Sequence, residues 1–200
     1  MRYPNTTRYI IGVDEVGRGP LAGPVAVGAV MLPISYKRQL LHGIRDSKKL
    51  TEAAREDWHA RAVEADSRGV LTFAVACVGA PTIDRRGIMY AIRTALSRVM
   101  RRLDAKPEEC LVLLDGGLRA PKQFIYQQTI IRGEDRVPAI ALASIVAKVH
   151  RDRKMVRFSC QFPGYAFEHH KGYGTEEHQN AIQTLGPCEL HRRSFLHLKS

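Results

Sequence analysis

The segment GVDEVGRGPLAGP, residues 12–24, sets how the start of this chain folds and what it can bind. Asp14 and Glu15 end an apolar run that begins at Tyr9. Carboxylates at the end of a buried strand are costly unless a cation or hydrogen-bond donors meet them, and Mg²⁺ and Mn²⁺ prefer such oxygen ligands. Glycines in the turn at 17–19 let backbone approach a ligand closely. The segment indicates a metal-binding acid pair beside a bare-backbone loop, and an ordinary tight turn with solvated acids is the alternative.

Length and composition indicate one soluble globular domain, 1–200. Of its 200 residues, 44% are hydrophobic and 26% are charged, which is ordinary for such a domain. No apolar run approaches the roughly 20 residues that a membrane span needs, and no signal-peptide core follows the N-terminus. We therefore expect a cytoplasmic protein with no membrane partner. The cysteines are scattered without CxxC spacing, so neither a zinc ribbon nor a disulfide framework is indicated: Cys77, Cys110, Cys160 and Cys188.

The charge of the chain favours a polyanionic partner. It carries 31 basic and 20 acidic residues, a net charge of +11, with a pI of about 9.8. Lysine and arginine release counterions when they meet phosphates, so nucleic acid is the expected partner. A merely basic protein is the alternative, but no basic amphipathic helix points to a membrane surface.

Hydrophobic periodicity predicts a mixed α/β sheet with helices on its faces. Strands are predicted at 9–14, 24–32, 70–78, 110–115 and 124–131. Helices are predicted from Thr51 to about Ser67, from Ile88 to Leu103, over 138–153, and from Thr175 to the pair Gly186-Pro187. Thr51 and Thr175 are suitable N-caps.

Asp115 repeats the pattern of Asp14, because it ends the apolar strand CLVLLD and precedes Gly116 and Gly117. Sites in open α/β sheets collect at the carboxyl ends of strands, so both acids and Glu15 are expected to meet there. Neighbouring strand residues face opposite sides. The strand must therefore distort at Glu15, or Glu15 must contribute through its backbone carbonyl. The alternative for Asp115 is a turn-initiating aspartate.

A third acidic pair, Glu134-Asp135, follows Gly133 and the last predicted strand. It is able to complete a carboxylate cluster of the kind that two closely spaced metals need. A charged surface turn is the alternative reading of the same residues.

Basic and aromatic residues supply candidate substrate contacts. Lys48 and Lys49 precede a helix start, a natural phosphate site. Ser144, Lys148 and Arg151 share one helical face, and a solvated charged face is the alternative for these basic groups. Tyr173 lies between glycines and is able to stack on a sugar or base, unless it packs within its loop.

The residue spacings typical of zinc sites and of serine hydrolases are absent from the sequence. His169, His170, His178 and His191 have no companion cysteines and no HExxH pattern, so zinc is not indicated and we interpret them as loop or phosphate-contacting histidines. No GxSxG elbow is present for serine catalysis.

The motifs together resemble one family. GVDEVGRGPLAGPV, DSKKL, LLDGG, ASIVAKVHRD, HKGYGTEEH and HRRSF occur in the order found in ribonuclease HII, the bacterial type 2 ribonuclease H, from residue 10 to about 196. The resemblance implies a ribonuclease H-like fold with a helical C-terminal extension, about 160–200, packed on the catalytic domain. It implies cleavage of RNA in RNA–DNA hybrids and incision at single ribonucleotides in duplex DNA, with Mn²⁺ or Mg²⁺. Ribonuclease HIII is less similar.

The resemblance also implies roles for individual residues. Asp14, Glu15 and Asp115 match three of the family's four metal-binding carboxylates. Glu134 matches the position of the fourth, normally an aspartate, so Asp135 is the alternative after a local shift. Matches to the family's substrate contacts are the loop that reads the ribose 2′-hydroxyl (Gly17, Arg18, Gly19) and Tyr173, which packs on the sugar at the RNA–DNA junction.

The sequence hypothesis is therefore two-metal hydrolysis that leaves 3′-hydroxyl and 5′-phosphate ends, with Lys48, Ser144 and Lys148 as further substrate contacts in a monomeric enzyme. One rival is a basic protein that binds RNA–DNA hybrid without cutting it. Another is a DNA nuclease with a similar carboxylate site, of the Holliday-junction type.

Overall fold

The computed structural model describes residues 6–36, 38–44 and 47–196, with Arg38 and Lys48 described by their backbone alone. The strands are β1 (Tyr9–Val16), β2 (Val25–Pro33), β3 (Thr72–Val78), β4 (Cys110–Asp115) and β5 (Gln127–Ile130). They form a five-stranded sheet in the order β3-β2-β1-β4-β5. The first three strands pair antiparallel, and β1, β4 and β5 pair parallel. The predicted mixed α/β sheet is confirmed.

The helices are α1 (Glu52–Ser67), α2 (Ala80–Arg86), α3 (Ile88–Arg102), α4 (Gly133–Arg136), α5 (Pro138–Gln161), α6 (Phe167–His170) and α7 (Glu176–Leu185). Both predicted N-caps are present, because Thr51 and Thr175 accept hydrogen bonds from the amides of Ala54 and His178. Helix α5 runs eight residues past the predicted end at 153. Beyond residue 153 only Met155 of this helix is buried, so hydrophobic periodicity gave no signal for its last two turns.

The two sheet faces are covered by different helices. Helix α3 packs its apolar face on β2 and β3, while α5 lies against β1 and β2 with α1 beside it. Two strand glycines allow α5 to come close. A Cβ on Gly12 would lie 2.2 Å from the carbonyl carbon of Ala139, and one on Gly28 would lie 2.3 Å from the carbonyl oxygen of Ala143. This close packing brings Ser144, the next residue of α5, to the end of β1.

The C-terminal region has a small core of its own. Tyr165 and Phe167 pack with Met155 of α5 and with Ala22, which lies between β1 and β2. The region therefore contacts the glycine-rich loop directly. No helix in the described ranges combines the length and apolar character needed to cross a bilayer.

Candidate active site

Two aspartates lie side by side at one edge of the sheet. Strands β1 and β4 run parallel, and their pairing ends at Val13 opposite Leu114, so Asp14 and Asp115 follow as neighbours. The pairing of β1 with β2 keeps its register to Val16. Of the two alternatives predicted for Glu15, distortion of the strand is not found in this ladder, and the contribution through its backbone carbonyl stays a prediction. Glu15 borders the same cavity as Asp14 because β1 continues past its last pair with β4.

Asp115 is held by backbone. Its Oδ1 accepts a hydrogen bond from the amide of Gly133 at 2.5 Å. A Cβ at Gly133 would lie 2.6 Å from Ile140 Cδ1 and 3.2 Å from Asp115 Oδ1. Glycine therefore lets the start of α4 approach β4, and this contact brings the next residue, Glu134, to the carboxylates.

The adjacent acids Glu134 and Asp135 point to different surroundings. Glu134 is 8% exposed, and its Oε2 accepts from the hydroxyls of Ser47 at 3.5 Å and Ser144 at 3.3 Å. Asp135 is on the surface, where it pairs with Lys49 at 2.6 Å and Arg132 at 2.8 Å. Of the two acids that the sequence left open, Glu134 is the one that joins the buried cluster.

The cluster is electrostatically strained. Burial raises the pKa of Asp14 well above its usual value, and the charges of Glu15, Asp115 and Glu134 raise it further, against the lowering effect of a hydrogen bond with Ser144. Burial also raises the pKa of Glu15, although Arg18 lowers it. A bound cation would relieve both effects, because an opposite charge favours the ionised carboxylate.

The donor set suits a hard divalent cation. The four side chains offer only carboxylate oxygens, and Glu15 Oε2 is buried with no hydrogen-bond partner among the residues that the structure describes. In the part of the chain that the structure describes, no three side chains already stand in the geometry of a metal site. Glu15 instead lies 3.5 Å from Arg18, and Asp115 accepts from the Gly133 amide. The fit to a metal therefore rests on charge and on the type of oxygen donor.

A cavity of about 260 Å³ opens over the cluster. It brings together most of the predicted site residues: Asp14, Glu15, Gly17, Arg18, Gly19, Asp115, Ser144, Lys148 and Tyr173. Glu134 lies behind Ser144 through the hydrogen bond described above. The side chain of Lys48 lies outside the described residues.

Lys148 and Tyr173 take up defined positions at the cavity. Lys148 donates to both carboxylate oxygens of Asp152 at 2.6 and 2.8 Å, and burial lowers its pKa while Asp152 opposes the change. Tyr173 is 41% exposed, so it is available for stacking. The adjacent Gly172 carbonyl accepts the amides of Leu21 and Ala22, which ties the tyrosine to the glycine-rich loop.

Several side chains differ from their sequence interpretation. His170, His178 and His191 are buried in a ring stack, with His178 Nε2 3.1 Å from His191 Nε2. The packing of the C-terminal region encloses these rings, so they are not accessible to a substrate phosphate as the sequence interpretation had it. His169 is exposed and pairs with Glu177 at 3.0 Å. Arg151 is fully buried and donates to backbone carbonyls, so it is neither the candidate substrate contact nor part of the solvated face that the sequence left open.

Sequence reasoning missed Ser47 and Arg192. Ser47 Oγ lies 2.9 Å from Ser144 Oγ and borders the cavity. Its motif DSKKL was interpreted through its lysines alone. Arg192 is fully buried, and only its place in the HRRSF motif distinguishes it from the many surface arginines.

The fold is of the ribonuclease H type, and two solved structures share it. Archaeoglobus fulgidus RNase HII, from a complex with PCNA, gives a TM-score of 0.73 at 24% identity over 96% of this chain and 97% of that one. Bst-RNase HIII in complex with Mn²⁺ gives a TM-score of 0.68 at 20% identity, over 94% of this chain and 67% of that one.

The sequence comparisons identify the family. The family model described as Ribonuclease HII matches residues 11–198. Ribonuclease HII of Caldicellulosiruptor bescii is 43% identical over 94% of this chain and 87% of its own length. The chain belongs to the ribonuclease HII family. It is an endonuclease of the ribonuclease H class, a divalent-metal-dependent hydrolase.

Proposed function

We propose that this protein cuts RNA–DNA hybrids and single ribonucleotides embedded in duplex DNA at the carboxylate cluster. The observation that carries the proposal is that three acids, Glu15, Asp115 and Glu134, act on the buried Asp14 and raise its pKa together with burial. They come from the ends of β1 and β4 and from the start of α4. These side chains would hold Mn²⁺ or Mg²⁺. Bound divalent ions would supply a water of lowered pKa for in-line attack and would stabilise the leaving 3′-oxygen.

The residues around the cavity supply the substrate contacts. Lys148 offers an ammonium group to the scissile phosphate. The loop Gly17, Arg18 and Gly19 offers backbone to the ribose 2′-hydroxyl, the group that distinguishes RNA from DNA locally. Tyr173 offers an exposed ring to the sugar or base at the junction. The products would carry 3′-hydroxyl and 5′-phosphate ends.

Asp115→Asn tests the site. The variant should lose cleavage of a duplex with one ribonucleotide while it still binds the duplex, because the basic contacts remain. Asp104→Asn is the control, since Asp104 is exposed with φ 49°, a conformation that asparagine tolerates. Full activity of Asp115→Asn, in protein shown to be free of host nuclease, would refute the proposal.

Metal dependence and the choice of substrate distinguish this proposal from its two rivals. A non-catalytic hybrid-binding protein would bind in chelator and never give nicked product when Mn²⁺ is added. A DNA nuclease of the Holliday-junction type would cut an all-DNA duplex as readily as one with a ribonucleotide.

We also propose that the protein acts in the cytoplasm as a monomer, with residues 160–200 as an extension of one catalytic domain. Its four cysteines are free thiols, which agrees with a reducing compartment. Light scattering of the purified protein tests the monomer.

A further inference from the structure

Two fully buried arginines lie beneath the glycine-rich loop. Arg151 belongs to α5, and Arg192 precedes the short 3₁₀ helix Arg193–Phe195. Both side chains are 0% exposed. A buried guanidinium is costly unless its donors are satisfied. Within the described residues, every guanidinium nitrogen of the two arginines except Nη1 of Arg151 donates to a backbone carbonyl.

Their partners are carbonyl groups of a single loop. Arg192 donates to the carbonyls of Gly17 at 2.7 Å, Arg18 at 2.9 Å and Gly23 at 3.0 Å. Arg151 donates to the carbonyl of Pro24 at 2.9 Å and, at 3.3 Å, to that of Ala22. Five carbonyls between β1 and β2 therefore point at two cations.

These bonds fix the direction of the loop amides. In a trans peptide the carbonyl of one residue and the N–H of the next point in opposite directions, and no cis peptide occurs among the described residues. With the carbonyls of Gly17 and Arg18 turned toward Arg192, the N–H groups of Arg18 and Gly19 point away from it. Neither amide donates to any group within the described ranges.

The loop also rests directly on Arg151. Gly17 has φ 82°, and a Cβ there would lie 2.2 Å from Arg151 Nε. The Arg151 guanidinium lies 5.7 Å from the Tyr173 ring centroid. One buried cation thus supports both the loop and the tyrosine. A lysine would not replace either arginine, because its single ammonium lacks the planar fork that reaches several carbonyls.

We propose that Arg192 and Arg151 are positioning residues for 2′-hydroxyl selection, which hold the loop carbonyls inward so that the Arg18 and Gly19 amides face the ribose. The inference rests on the proposed function of this loop. It predicts that the arginines determine the preference for a ribonucleotide over DNA, while contributing little to general duplex affinity.

The test measures a ratio of affinities in the Asp115→Asn background, where substrate stays intact. Fluorescence anisotropy gives the Kd for an all-DNA duplex and for the same duplex with one ribonucleotide. Adding Arg192→Lys should lower the ratio of the all-DNA Kd to the single-ribonucleotide Kd about five- to tenfold, the effect of losing about one net hydrogen bond. The all-DNA Kd should stay within about twofold of the parent value. A partly unfolded population reduces both affinities equally, so it leaves the ratio unchanged.

Arg193→Lys is the matched control, since Arg193 is the exposed neighbour in the same motif, and it should keep the parent ratio. If Arg192→Lys fails to fold, Asp84→Ala replaces it. The Asp84 carboxylate accepts from the amides of Arg193 and Ser194 at 3.0 Å and so anchors the segment that follows Arg192. That variant should lower the ratio about two- to threefold.

An unchanged ratio in Arg192→Lys whose thermal unfolding shows it to be folded, or in Asp84→Ala where that variant replaces it, would overturn the inference. A parent protein with no preference for the ribonucleotide is a separate result. It would remove the proposed role of the loop and this inference with it.

Discussion

Glu134→Gln is the most informative change at the acidic cluster, because it removes one charge while keeping the side-chain volume. Glu134 is 8% exposed and accepts from two serine hydroxyls. A glutamine oxygen is able to accept the same bonds, so folding should be preserved. Glu134 also raises the pKa of Asp14. Without metal at neutral pH, the variant should therefore be at least as stable as the parent.

Its cost should appear in metal binding and catalysis. With a cation bound, Glu134 would be one partner of a buried pair of opposite charges, and removing one partner of such a pair costs about 2–5 kcal/mol. Three carboxylates remain to hold the ions, so we expect the lower end, about 2–3 kcal/mol, which corresponds to roughly 30- to 150-fold weaker activation by Mn²⁺. Cleavage of a single-ribonucleotide duplex, titrated with Mn²⁺ and with Mg²⁺, measures this shift.

Asp135→Asn is the matched control, one residue away. Asp135 pairs on the surface with Lys49 and Arg132, and exposed pairs of this kind contribute little. The Mn²⁺ concentration that half-activates cleavage by this variant should match that of the parent within about twofold. A large loss in Asp135→Asn with normal activity in Glu134→Gln would refute the assignment and show that the local shift brings Asp135 to the metals.

Three further results are expected. Tyr173→Phe should retain the preference for a ribonucleotide junction and Tyr173→Ala should lose it, as measured by relative cleavage rates; equal rates for all three proteins would reject stacking. Because burial and the neighbouring carboxylates raise the pKa of Asp14, the folded protein binds that proton more tightly than the unfolded chain. This contribution to metal-free stability should thus fall as pH rises from about 4 toward neutrality. Thermal unfolding at a series of pH values measures this. Asp14→Asn should make the unfolding temperature depend less on pH, and Mn²⁺ should stabilise the parent at neutral pH but not near pH 4. Gly28→Ala should destabilise the protein by about 1–3 kcal/mol in chemical denaturation, since its Cβ would lie 2.3 Å from the Ala143 carbonyl oxygen; unchanged stability would show that α5 shifts freely.

The sequence alone was sufficient where local pattern determines structure. Short apolar runs, alternating at 24–32 and continuous at 110–115, predicted the five strands, and β4 was predicted at its observed bounds, Cys110–Asp115. Threonine N-caps gave the starts of α1 and α7. The positions of Asp14 and Asp115 at strand ends then predicted their meeting, because neighbouring parallel strands end at the same edge of a sheet.

The resemblance matched Glu134 to the position of the fourth carboxylate and left Asp135 as the alternative, and only the tertiary structure showed their different surroundings. The two acids are adjacent in a short helix. The separation follows from Gly133, which packs against Asp115 and Ile140 and so turns Glu134 toward Ser144 and Asp135 toward solvent.

Burial of the basic residues also depended on the complete fold. The sequence established that the chain is rich in lysine and arginine, and the expectation that such residues are solvated holds for most of them. Arg151 and Arg192 depart from it because distant segments, the loop at 17–24 and the C-terminal region, close over them and present carbonyls. Hydrophobic periodicity reports which face of one element is buried, whereas an arginine enclosed by two loops is stabilised by contacts that no local pattern contains.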